Sequence, residues 1–158
     1  MKKLFVAAVV ALLATPLFAG DFTMDAKLGY VRTEGSGNGF VVGPAAYYSL
    51  YKGEDFVKDF SVGLGLDFNY IKAAGSWAYG ISVGPEARLE MPYSYAKLGF
   101  GYNYADGAGS ALGMKFSVAG IMEIAEGVNA GLDFAFNYRL TNGTMWSIAI
   151  GPVFCFAL

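Results

Sequence analysis

Three copies of one triplet, Phe68-Asn69-Tyr70, Tyr102-Asn103-Tyr104 and Phe136-Asn137-Tyr138, recur at an interval of 34 residues, each closing a run in which every second residue is apolar. A period of two belongs to strands, whose successive side chains point to opposite faces, whereas a helix would repeat near ~3.6. The interval matches a strand pair with its two connections, so the chain counts out hairpins. A degenerate copy, Leu28-Gly29-Tyr30, lies 40 residues before the next, and a second mark follows each tyrosine: Gly43-Pro44, Gly84-Pro85, Ala119-Gly120 and Gly151-Pro152. Four outgoing and four returning strands predict an all-β, eight-stranded antiparallel up-and-down meander.

The two faces separate cleanly. Phe60, Val62, Leu64, Leu66, Phe68 and Tyr70 share one face of the third strand, and Ser61, Gly63, Gly65, Asp67 and Asn69 share the other. The seventh strand repeats this with Val128 to Tyr138 against Asn129 to Asn137. The last runs from Trp146 to Leu158.

Residues 1–19 read as a secretory signal peptide, with Lys2 and Lys3 as the basic start, Leu4 to Leu13 as the apolar core and Ala19 before the cut. That stretch is shorter than the ~18–20 apolar residues of a spanning helix. Residues 20–158 then form one domain. Without Lys2 and Lys3, nine bases face thirteen acids, a balance that argues against nucleic acid as a partner. Cys155 is the sole cysteine, so no intramolecular disulfide forms, and it reads as a small residue packed inward on the last strand.

Alternation alone does not say which face meets water, and a soluble lipocalin-like barrel is the rival. A soluble barrel needs a surface about a quarter to a third charged, but the polar face here is mostly Gly, Ser, Ala and Asn. Such a face suits a crowded lumen. The apolar face carries aromatics near the strand ends, as an interfacial belt would. One rim would hold Tyr30, Tyr70, Tyr79, Tyr104, Tyr138 and Trp146, and the opposite rim Phe22, Tyr48, Phe60, Tyr93, Phe154 and Phe156. Lipid offers no hydrogen-bond partner, so a strand protein crossing it must close on itself. Export into the periplasm puts both termini there, which makes Thr33 to Gly39, Lys72 to Ser76, Asp106 to Ser110 and Thr141 to Thr144 the external loops. The longest connection, Lys52 to Asp59, then falls on the periplasmic side. Prolines in register in strands two, four and eight predict a ring of local ladder defects, as a bulge or bend after each glycine.

With these features in place, the chain resembles the small eight-stranded outer-membrane barrels of Gram-negative bacteria, the OmpA/OmpX-like group, over its whole mature length. The resemblance implies outer-membrane lipid as surroundings and recognition by the outer-membrane assembly machinery through the C-terminal strand. Trp146, Phe154 and Phe156 fit that signal, and Leu158 stands where the family has a final aromatic. Barrel enzymes of similar shape depend on a histidine. This chain has none.

The inward set contains Asp25, Asp67, Glu86, Glu90, Glu123 and Asp133 with Lys27, Arg88, Lys97, Lys115 and Arg139. Inside so narrow a barrel, charges persist only when paired and hydrogen-bonded. A salt-bridged plug centred on Glu86, Arg88 and Glu90 is the first reading. A narrow, porin-like water path is the second, supported by the many inward glycines. Surface adhesion or lipid and polysaccharide contact is third, since the loops are short. No catalytic, metal or cofactor site is expected: the missing histidine removes the imidazole base and the commonest metal ligand. Gly35 to Gly39 reads as a flexible loop, and Asn142-Gly143 as a hairpin turn. Oligomeric state is not encoded in any recognisable feature.

Overall fold

The computed structural model describes residues 22–35, 37–73, 75–107, 109–140 and 145–158, with the side chain of Ala73 excepted. The expected export signal over 1–19 and the Asn142-Gly143 turn lie outside the described residues. Eight strands follow in order: β1 (Phe22–Thr33), β2 (Gly37–Lys52), β3 (Asp59–Ala73), β4 (Ser76–Met91), β5 (Ser94–Ala105), β6 (Gly109–Ala125), β7 (Val128–Leu140) and β8 (Met145–Ala157). Each pairs antiparallel with its sequence neighbours, and β8 pairs with β1 to close the barrel. Closure leaves no edge to aggregate or to meet lipid unpaired. Strand lengths of 12 to 17 residues exceed the ~9–11 that a tilted membrane-crossing strand needs.

The barrel is apolar outside and polar inside. Leu28, Phe40, Leu64, Phe100, Leu112 and Leu132 are all more than half exposed on the outer wall. Asp25, Lys27, Asp67, Glu86, Arg88, Lys97 and Asp133 are buried within it. A water-soluble barrel with an apolar cavity would show the reverse. Small apolar clusters remain inside, one of Tyr95, Ala119, Ile121, Val153 and Cys155, another of Val31, Val41, Ala135 and Ala149.

Both aromatic rims are present. At one end Tyr70 stacks on Trp77 with ring centroids 4.6 Å apart and planes 5° from parallel, and Tyr79 meets Tyr104 at 5.9 Å. Tyr138 lies opposite Trp146 in the β7–β8 ladder, and Tyr30 opposite Phe40. Tyr30, Tyr70 and Tyr79 are exposed, while Tyr104, Tyr138 and Trp146 are half-buried against their neighbours. Trp77 joins this rim although its sequence position was not assigned to it. At the other end Phe22 meets Tyr48 at 5.2 Å.

The strands run further than the alternation indicated. Asn38 and Gly39, assigned to a loop, pair with Arg32 and Val31 inside the β1–β2 ladder. The Lys52 to Asp59 segment is still the longest connection at its end, because β4–β5 and β6–β7 turn within two residues. Gly127 provides the positive φ of the second of these turns, a conformation costly for other residues.

The prolines produce gaps rather than bulges. Pro85 pairs in register with Leu64, but on its other side the β4–β5 ladder passes from Val83↔Tyr102 to Glu86↔Gly99, leaving Gly84 and Pro85 unmatched. Pro44 and Pro152 repeat the pattern, matched to β1 and β7 and skipped by β3 and β1 respectively. Register is unchanged across each gap. Proline has no N–H for the skipped neighbour, and the preceding glycine lets that neighbour press in. A Cβ on Gly84 would strike the Phe100 carbonyl and the Gly101 Cα, and one on Gly151 would strike the Leu28 carbonyl. True register shifts occur elsewhere, at Ser49/Tyr51 and Glu123/Ala125.

Candidate functional site

Alternation delivers every inward charge to the same enclosed space, and closure decides which ones meet. Two ion-pair chains result. In the first, Lys27 Nζ lies 3.6 Å from Asp133 and 3.5 Å from Asp67, and Lys115 Nζ continues at 2.8 Å to Asp67 and 2.8 Å to Glu86. In the second, Lys97 Nζ is 2.5 Å from Asp25, which lies 3.6 Å from Arg88 Nε, and Arg88 Nη1 is 2.5 Å from Glu90. Every one of these five acids touches a base. The contacts of Arg88 are ionic in distance but poorly aligned as hydrogen bonds.

Two tyrosines join the chains. The Tyr47 hydroxyl donates to Glu86 Oε2 at 2.5 Å and the Tyr95 hydroxyl to Asp133 Oδ2 at 2.7 Å, both in the first chain. Their rings face the cations of the second: Arg88 Cζ is 5.0 Å from the Tyr95 centroid and 5.8 Å from that of Tyr47, and Lys97 Nζ is 4.2 Å and 5.3 Å away. Desolvated cations gain most from such contacts. Arg88, with no exposure at all, is the largest fully buried side chain among the described residues. It lies in the lower half of the lumen, the half away from the tyrosine rim.

Of the charges assigned to the lumen, Asp67, Glu86, Arg88, Glu90, Lys97, Lys115 and Asp133 therefore form one network with Asp25 and Lys27. Arg139 stands apart at the upper mouth, where its guanidinium donates to the Gly109 carbonyl. Glu123 does not belong. It is exposed, because β6 overshoots β5, whose pairing with it ends at Ser94↔Gly120, and the register shift at Glu123/Ala125 turns that end outward. Tyr47 and Tyr95 were overlooked by sequence reasoning that sorted aromatics to the outer wall. Their parity was the available signal, since Tyr95 shares its face with Lys97 and Tyr47 shares its face with Gly43 and Ala45.

Neighbouring atoms occupy the space beside the inward glycines. A Cβ on Gly65 or Gly99 would run into the Glu86 side chain, on Gly43 into Asp67, and on Gly113 into the Asn103 amide. Others, such as Gly39, Gly63 and Gly131, lie hard against neighbouring backbone. They make room for the charges and for tight curvature. In the upper half lies a cavity of about 20 Å³ beside Glu86, Lys115 and Asn137, room for about one water at ~10–15 Å³. Above it lies a cup of about 180 Å³ lined by residues from Asp67 up to Arg139 and Met145.

No protein-family model matches the chain, and no curated protein matches it in sequence. Solved structures do match in shape. Neisserial surface protein A superposes with a TM-score of 0.63 at 14% identity, over 87% of this chain and 97% of that one. The outer membrane enzyme PagL gives 0.57 at 14% identity, over 86% and 99%. Ail, the attachment invasion locus protein of Yersinia pestis, solved with the heparin analogue sucrose octasulfate, gives 0.55 at 13% identity, over 88% and 100%. The chain thus has the fold of the small eight-stranded outer-membrane β-barrels.

Proposed function

We propose that the protein is an integral outer-membrane barrel with a structural role in the envelope, its lumen plugged by the Asp25–Arg88–Lys97 and Lys27–Lys115 networks. The observation that carries this reading is Arg88, wholly buried, braced by two carboxylates and facing two tyrosine rings. A conduit would keep such a cation wet. Fold alone does not assign a role: its structural neighbours include the outer membrane enzyme PagL and the attachment invasion locus protein Ail. In this chain five inward carboxylates, Asp25, Asp67, Glu86, Glu90 and Asp133, are engaged by lysine or arginine, which supports a non-catalytic role, and connections of a few residues at the tyrosine rim offer little surface for protein adhesion.

Export by residues 1–19, periplasmic termini and assembly through β8 complete the reading. The outer face of β8 presents Trp146, Ile148, Ile150, Pro152, Phe154 and Phe156, the alternating apolar signal that the assembly machinery would read. The test is purification from outer membranes, comparison of electrophoretic migration with and without boiling, and planar-bilayer recording of the folded form. Heat-shifted migration with a silent bilayer supports the plug. Discrete conductance steps would defeat it in favour of the narrow pore, and recovery of the mature chain without detergent would defeat the membrane assignment itself.

A further inference from the structure

The upper cup is built from the repeated triplet. Asn69, Asn103 and Asn137, the middle residues of its three copies, all line it, with the hydroxyls of Thr33, Ser82 and Ser147 among them. Several of these groups are only partly satisfied. Ser82 donates to Asn103 Oδ1 at 2.5 Å, and Asn137 Nδ2 reaches Ser147 Oγ at a long 3.4 Å. Asn69 has no side-chain hydrogen bond to any described residue. Thr33 Oγ1 is buried with no partner among the described residues, on a residue only 8% exposed. A buried hydroxyl of that kind is destabilising unless something else completes its bond.

The charged residues of the cup balance in sign. Asp67 at the floor is paired with Lys27 and Lys115, and Arg139, which donates to the Gly109 carbonyl, shares the lining with the acid Asp106. Ile71 and Met145 supply an apolar wall. Neutral amides and hydroxyls facing an apolar wall suit a molecule with hydroxyls at its edge and C–H groups on its face. Its volume of about 180 Å³ is well below the ~300 Å³ of drug-sized pockets.

We propose that the cup binds a neutral polyhydroxyl ligand the size of one sugar ring, either a free monosaccharide or the terminal residue of a surface glycan. The inference goes beyond the plug and does not depend on it, since the cup lies above the lower half of the lumen. Binding is measured by saturation-transfer NMR on the folded barrel in amine-oxide micelles, which carry no sugar headgroup. The probes are glucose, galactose, mannose, N-acetylglucosamine and delipidated polysaccharide from the outer membrane.

Saturable binding with a Kd near ~1 mM is expected for a ligand of this size. Asn69→Leu and Thr33→Val should each weaken it about three- to tenfold. Both variants are expected to keep heat-shifted migration, and Thr33→Val to unfold no earlier than the parent because it removes an unpartnered hydroxyl. Monosaccharide binding assigns the free sugar, and binding of the polysaccharide alone assigns the glycan terminus. The proposal is overturned if none of the probes binds saturably, if both variants bind as the parent does, or if inorganic phosphate displaces the sugar and so marks an anion site at Arg139.

Discussion

The Tyr47 hydroxyl on β2 donates to Glu86 Oε2 on β4, 2.5 Å away and 39 residues on in sequence. It passes over β3, whose facing residues there are glycines, Gly63 and Gly65. Together with the Tyr95–Asp133 bond from β5 to β7, this bridge ties next-but-one strands into one polar core. Removing its hydroxyl while keeping its ring isolates its contribution: Tyr47→Phe should lower stability by about 1.5–3 kcal/mol, the range for hydrogen bonds to a charged group. Urea unfolding of the folded barrel in detergent reads this directly.

Arg88→Ala is a harsher change. It leaves Asp25 with Lys97 as its only ion-pair partner among the described residues and Glu90 with none, and stranding buried charge costs about 3–5 kcal/mol. Loss of heat-shifted migration at moderate urea is the expected outcome. Unchanged unfolding would mean that the plug contributes nothing to stability.

Glycine substitutions separate curvature from mere smallness. Gly84→Ala and Gly151→Ala drive a methyl into the neighbouring backbone, so assembly yield should collapse. Gly120 has open space where its Cβ would stand. Gly120→Ala should be neutral or stabilising by about 0.4–1 kcal/mol through the unfolded chain. Folded yields of the three variants, compared side by side, check the contrast.

The two tryptophans, Trp77 and Trp146, lie at the same end of the barrel in the tyrosine-rich rim. In vesicles of brominated lipids their fluorescence should be quenched most by bromine close to the headgroup and least by bromine at the chain terminus. Deep quenching would place this rim inside the hydrocarbon and displace the assigned membrane span.

Conductance gives a prediction that depends on the proposed plug in the lower lumen. The parent protein should be silent, and the double variant Arg88→Ser with Tyr95→Ala, if it remains folded by migration, should pass small ions. A silent double variant would show that other side chains seal the lumen.

Much of this was legible from the residues. Asp67, Lys97, Lys115 and Asp133 face inward because alternation puts them there whatever their partners, and Tyr70, Tyr104 and Tyr138 face outward for the same reason. Glu123 misled because parity says nothing about where a strand outruns its neighbour. The prolines announced a ladder defect, but whether it would be a bulge or a gap depended on the register of the strand alongside.

What the sequence alone determined is the repeat, the strand count and the face of each side chain, because all three follow from local backbone geometry at a period of two. Only the tertiary structure decided that Lys27 meets Asp133, that Lys97 meets Asp25 and that Tyr47 meets Glu86. These partners lie on strands brought level by the stagger of a closed sheet, and stagger is a property of the whole circuit of pairings rather than of any one strand.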